Sequence, residues 1–104
     1  MDRLQAIQIF IRVAELQSFA AAADDLNLSR TLVSERVKDL EESLGVQLLH
    51  RTTRKVSLTE SGALFLERVR PGVDVISEAA AEASNLSADL RGALRVNAPL
   101  SFGM

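Results

Sequence analysis

Arg30, Thr31, Ser34, Glu35 and Lys38 recur at the one-, three- and four-residue steps that line side chains along one face of a helix. Two cations, two hydroxyls and a carboxylate on such a face can hydrogen-bond a polar surface. A guanidinium offers a planar fork of donors, and a carboxylate offers acceptors only. Further on, Arg51-Thr52-Thr53-Arg54-Lys55 places three bases and no acid within five residues, the densest positive patch in the chain. These are groups that can grip a polyanion and probe it for hydrogen-bonding partners. A solvated helix face and an exposed turn carry the same residues, so on their own they leave both readings open.

Catalytic and metal chemistry find no foothold. His50 is the only histidine and there is no cysteine, which excludes multi-histidine and thiolate metal sites as well as disulfides. His50 therefore reads as a structural residue. Glu41-Glu42 and Asp24-Asp25 are carboxylate neighbours, but adjacent side chains on a helix point apart, so neither makes an acid–base pair and both read as solvated faces. No nucleophile elbow and no glycine-rich phosphate loop is present. We expect no enzyme activity and no cofactor.

The 104 residues suffice for one domain with an appendage. Hydrophobic residues make up 47% and charged residues 25%, ordinary values for a globular chain, but the aromatic share is 4%. A core must therefore come from Leu, Val, Ile and Ala, which suits small helices packed closely. No apolar run approaches the roughly 20 residues that span a bilayer, and Met1-Asp2-Arg3 does not open a secretory signal. A cytoplasmic location with no membrane partner fits. The net charge of −2 and pI of about 5.3 run against a nucleic-acid partner. Yet salt screens each charge beyond about 10 Å, so distribution matters more than the sum.

Three helices must position the polar groups. Residues 4–16 carry Leu4, Ile7, Ile11 and Ala14 at helical steps, widened by Phe10 and Val13. Ser18 is placed to cap a short second helix over 19–26, whose Ala20-Ala21-Ala22-Ala23 run lets a neighbour cross closely. Asn27 suits the positive φ of a tight turn, Leu28 anchors it, and Ser29 can cap a third helix over 30–44. Val33, Val37, Leu40 and Leu44 form the apolar side of that helix, opposite the polar face, and Gly45 stops it. Short extended pieces over 47–50 and 56–58 flank the basic loop as a two-stranded ribbon.

Thr59 can cap a long helix over 60–90 in which Phe65, Val69, Gly72, Ile76, Ala79, Ala83, Leu86 and Leu90 follow a heptad-like stripe. One small core cannot cover so long a stripe, which points to a second copy of the chain. Pro71 predicts a kink or a break. Past Arg91-Gly92 the alternation of Leu94 and Val96 with Arg95 and Asn97 predicts the first strand of another domain. The expected organisation is a domain over 1–59, a linker and dimerisation helix over 60–90, and the start of a further domain over 91–104.

Residues 18–62 closely resemble the amino-terminal domain of LysR-type transcriptional regulators. The match is carried without a gap by Ser18-Phe19, Ala22-Ala23, Leu26, Ser29, Val33-Ser34, Val37, Leu40-Glu41, Leu44-Gly45, Leu48, Arg51, Arg54 and Leu58-Thr59-Glu60-Ser61-Gly62. The resemblance implies a mainly α winged helix-turn-helix: three helices and a two-stranded wing, followed by a long dimerisation helix. It further implies double-stranded DNA as partner, a homodimer through the linker helix with tetramers open to the longer protein, and a small-molecule effector bound only by a domain beyond Met104. This chain departs from the usual pattern at Gln17, where glycine is common, at Arg30, Thr31, Leu32 and Glu35 on the reading helix, and at Leu49-His50. Those changes bear on which DNA sequence is read rather than on the fold.

By this resemblance the third helix enters the major groove. Arg30, Thr31, Ser34 and Glu35 would meet bases and nearby phosphates, with Leu32 and Lys38 beside them. Arg30 can bridge guanine O6 and N7, and Glu35 can accept from cytosine N4 or pair with Arg36 or Lys38. Arg51, Thr53, Arg54 and Lys55 would lie along the backbone or in the minor groove, unless Arg51 braces the fold through a carboxylate such as Glu41. Ser18 and Ser29 sit at helix amino termini, where capping and phosphate binding coexist. The expected pairing residues are Phe65, Val69, Ile76, Ala79, Ala83, Leu86 and Leu90. The rival expectation, motivated by the acidic pI, is a winged helix used only for protein assembly.

Overall fold

Four helices and one antiparallel ribbon make up the computed structural model, which describes residues 2–51 and 55–96 and side chains as far as Leu86. Helix α1 spans Arg3–Leu16, α2 Phe19–Leu26 and α3 Arg30–Leu44. Strands β1 (Leu49–Arg51) and β2 (Val56–Leu58) follow, then α4 (Glu60–Val96). The mainly α winged helix-turn-helix expected from the sequence is what the chain adopts. The chain divides into two units, one ending at Val73 and one beginning at Asp74.

Local chemistry explains each boundary. Asp2 accepts from the Gln5 N–H and opens α1, while Gln17, at φ 54°, closes it in the left-handed region. Ser18 accepts from the Ala21 N–H to open α2, and Asn27 at φ 58° ends it. Ser29 accepts from the Leu32 N–H to start α3, which Gly45 stops at φ 74°. The Thr59 hydroxyl accepts from the Gly62 N–H at 2.9 Å, capping α4 as its sequence position suggests. Such caps contribute about 1 kcal/mol each.

The first unit closes around Ile9, Phe10 and Val13 of α1, Ala22 and Ala23 of α2, Val33, Val37 and Leu40 of α3, and Leu48 and Leu49. Among the described residues, no polar or charged side chain is buried. The ribbon adds Val56 to this core, and β1 pairs β2 in the register Leu49↔Leu58, His50↔Ser57, Arg51↔Val56. The first turns of α4 lie on the same core. Phe65 packs on it with its ring 5.7 Å from that of Phe10, and Leu66 joins it. Gly62 is the point of closest approach: a Cβ there would stand 1.9 Å from the Leu48 carbonyl oxygen.

Three expectations need adjustment. The first strand begins at Leu49 rather than 47, because the N–H groups of Leu48 and Leu49 both donate to the Glu41 carboxylate. The chain stays helical through Pro71, so the full break does not occur. Residues 94–96, expected as a strand, form the end of α4. So short an alternation finds no partner strand among the described residues, whereas a helix bonds its own backbone within the segment. In the second unit every described side chain, from Asp74 to Leu86, is exposed.

Candidate nucleic-acid interface

The helix-turn-helix divides α3 into two faces. Val33, Val37 and Leu40 are fully buried against α1 and α2, which turns Arg30, Thr31, Ser34, Glu35 and Lys38 outward. Those five exposed residues line one open surface depression on α3. Leu32, expected beside them, is half-buried. Arg36 is half-buried and pairs with Asp39 at 3.3 Å, which leaves Glu35 on the outward face apart from that ion pair.

A face of this kind can read a polar surface. Arg30 opens α3 directly after its Ser29 cap, so its fork stands at the helix amino terminus, the end that enters a groove first. Ser29 is itself exposed, and its hydroxyl holds the Leu32 N–H at 3.1 Å. Ser18 is half-buried and holds the Ala21 N–H at 3.0 Å, so its first task is capping α2.

The ribbon supplies a second group of candidates. Lys55 is exposed just before β2, while Thr53 and Arg54 lie outside the described residues. Arg51 is committed within the fold. Its guanidinium donates to Glu41 at 3.0 Å and lies 5.2 Å over the Phe19 ring. Glu41 carries more than its place in the sequence suggested: besides Arg51 it accepts from the Leu48 and Leu49 N–H groups at 2.8 and 3.2 Å. The Phe19 contact had no sequence signal, since it joins residues far apart in the chain.

A separate charged cluster joins α1, α2 and α4. Arg12 donates to Asp25 at 2.6 Å and to Glu15 at 2.9 Å, and Arg70 reaches Glu15 at 3.3 Å. The hydrogen bond from Arg12 holds the Asp25 carboxyl below its ordinary range. Only the Arg12–Glu15 step is visible as a helical spacing; the contacts to Asp25 and Arg70 come from the tertiary fold. Of the expected pairing residues, Phe65 is half-buried on its own core and Val69 is half-buried, whereas Ile76, Ala79, Ala83 and Leu86 are exposed. The Leu90 side chain lies outside the described residues.

Among the described residues no group of three or more histidines and carboxylates is placed to hold a metal, and no helix is long and apolar enough to cross a membrane.

Residues 4–63 match the family described as "Bacterial regulatory helix-turn-helix protein, lysR family". The chain belongs to that family. A LysR-type chain of this kind has relatives among curated regulators. It is 44% identical over 96 residues to an HTH-type transcriptional regulator of Xanthomonas campestris pv. campestris, covering 92% of this chain and 28% of that one. It is 40% identical over 104 residues to an HTH-type transcriptional regulator of Haemophilus influenzae, covering all of this chain and 36% of the relative. The chain thus spans about a third of the length of the curated relatives it matches. Among solved structures it resembles BenM_DBD in its benA site 1 DNA complex, with a TM-score of 0.74 at 31% identity over 81% of this chain and 94% of that one. Both curated relatives carry the name of HTH-type transcriptional regulators, and the BenM_DBD structure shares the fold of this chain.

Proposed function

We propose that this chain is the sequence-specific DNA-binding module of a bacterial LysR-type regulator, with α3 in the major groove and the ribbon on the flanking backbone or minor groove. The observation that carries the reading is the outward face of α3: Arg30, Thr31, Ser34, Glu35 and Lys38 are exposed on one surface while the opposite side of the same helix is buried. B-DNA's major groove admits a helix, and base edges there present donors and acceptors that such side chains distinguish. That a fold neighbour is a DNA complex supports the same assignment.

On this reading Arg30 and Glu35 discriminate bases, Thr31, Ser34 and Lys38 contact bases or adjacent phosphates, and Thr53, Arg54 and Lys55 follow the backbone. The protein acts as a homodimer through α4, because Ile76, Ala79, Ala83 and Leu86 leave an apolar surface exposed in the single chain. Two reading helices held at a set distance then bind half-sites about one helical turn apart. Effector binding falls to the part of such regulators that this chain does not span, and the module works in the cytoplasm without a cofactor.

Selection of bound fragments from random DNA, followed by fluorescence anisotropy across a salt series, tests the proposal. Enriched sites with paired half-sites, and affinity falling steeply with salt through counterion release, are the expected result. Absence of titratable DNA affinity at low salt would leave a module for protein assembly and refute the DNA reading.

A further inference from the structure

We propose that Glu41 is a positioning residue for DNA recognition, setting the stance of the ribbon against the reading helix, and that Arg51 serves this arrangement instead of a phosphate. The inference rests on the DNA-binding reading above and concerns how its two contact regions are held together.

Glu41 lies seven residues past Ser34 on α3, so it shares one rigid element with the outward face. Its side chain is only 11% exposed. One oxygen accepts from the Leu48 and Leu49 N–H groups, where the chain enters β1, and the other accepts from Arg51 at the far end of the same strand. A carboxylate suits this position because two oxygens with about four acceptor sites can serve three donors at once. Arg51 is held from the other side by the Phe19 ring, the first residue of α2. The strand is thereby fixed at both ends to the two helices of the helix-turn-helix.

The pairing also decides what Arg51 does electrostatically. With Glu41 3.0 Å away, the guanidinium charge is offset within the protein, so it adds little to counterion release on meeting DNA. A free cation at this site would attract phosphate. A neutral pair holds geometry.

The test uses this chain, a DNA fragment recovered by selection, and the variants Glu41→Gln and Arg51→Met. Glu41→Gln keeps an acceptor for the strand N–H groups but loses the charge facing Arg51, while Arg51→Met keeps an apolar stem over Phe19. Guanine N7 methylation interference reports the reading helix, hydroxyl-radical protection reports the ribbon, and circular dichroism reports folding. Both variants should keep the guanine interference pattern, lose or shift flanking protection, and bind roughly tenfold more weakly, as expected when members of one hydrogen-bonded network are uncoupled. The salt slope of Arg51→Met should match the parent's, because the charge it removes is already offset by Glu41, whereas that of Glu41→Gln, which leaves the guanidinium unpaired, should be no shallower. If Glu41→Gln unfolds at the assay temperature, Arg51→Met carries the test. Unchanged flanking protection in a folded variant would reduce the pair to a stability brace and overturn the proposal. A salt slope shallower by about 0.9 in Arg51→Met alone would show a direct phosphate contact and overturn it too. Failure of the parent to bind any DNA would instead remove the reading on which the inference rests.

Discussion

Gly62 packs so tightly against Leu48 that a Cβ on the glycine would stand 1.9 Å from the Leu48 carbonyl oxygen. The obstacle is backbone, and the same carbonyl already accepts from the Thr59 N–H at 3.0 Å, so it cannot swing aside without breaking the start of α4. Gly62→Ala should therefore destabilise the first unit by about 3 kcal/mol, at the upper end for overpacking. Thermal unfolding followed by circular dichroism should show Tm lower by roughly 10–20 °C. A Tm within about 2 °C of the parent would contradict the close approach.

Gln17 should respond in the opposite direction. It closes α1 at φ 54°, ψ 34°, a region that costs a side-chain-bearing residue about 1–2 kcal/mol. Glycine adopts it freely but brings more chain entropy to the unfolded state, offsetting about 0.5–1 kcal/mol. Gln17→Gly should leave a net gain of about 0.5–1 kcal/mol in denaturant unfolding. Destabilisation would mean that the Gln17 side chain makes a contribution its backbone geometry does not reveal.

Recognition and grip should separate by mutation. Arg30→Ala should weaken binding to the selected site by about 1–3 kcal/mol while leaving mixed-sequence DNA little affected. Arg54→Ala should weaken both alike and make the salt slope shallower by about 0.9. Equal losses on specific and mixed DNA for Arg30→Ala would remove it from base reading.

Pairing should depend on the exposed apolar residues of the second unit. Leu86 is 60% exposed, and a carboxylate there would face its own kind or an apolar neighbour in a dimer. Leu86→Glu should shift sedimentation equilibrium toward monomer, with the helical content of the first unit kept. A parental dimer constant would take the assembly surface elsewhere.

Acidification offers an independent check on Arg12–Asp25. Arg12 holds the Asp25 carboxyl below its ordinary 3.8, so the folded state binds that proton less readily than the unfolded state. The pair's contribution is complete above 3.8 and is lost as pH falls through the lowered folded value. It is an exposed pair at 36% and 42% side-chain exposure, so salt should shrink the effect. The NMR titration midpoint of the Asp25 carboxyl should lie below 3.8 in the parent and move up toward it in Arg12→Gln. An identical midpoint in both proteins would refute the interaction.

Helices α2 and α3 were legible in the sequence to the residue, because Ser18, Asn27, Ser29 and Gly45 act through bonds to neighbours three or four residues away. The outward face of α3 was legible for the same reason, since helical spacing alone separates it from Val33, Val37 and Leu40. What escaped depends on distant partners. The start of β1 is set by a carboxylate on another element, and Gly62 matters only because Leu48 comes up against it. A heptad-like stripe does not say whose apolar surface covers it, and Phe65 turned out to lie against Phe10 of the same chain.

The interior of the first unit contains no buried polar side chain among the described residues, so nothing inside it distinguishes one alignment of helices from another except shape. Cores of this sort tolerate exchanges of similar volume, such as valine for isoleucine with compensation nearby, and lose uniqueness before they lose stability. The directional bonds sit instead at the periphery, in the caps and around Glu41. Volume-conserving exchanges in the oily centre should therefore leave this fold in place, whereas the alignment of its elements depends on the polar hardware at its edge.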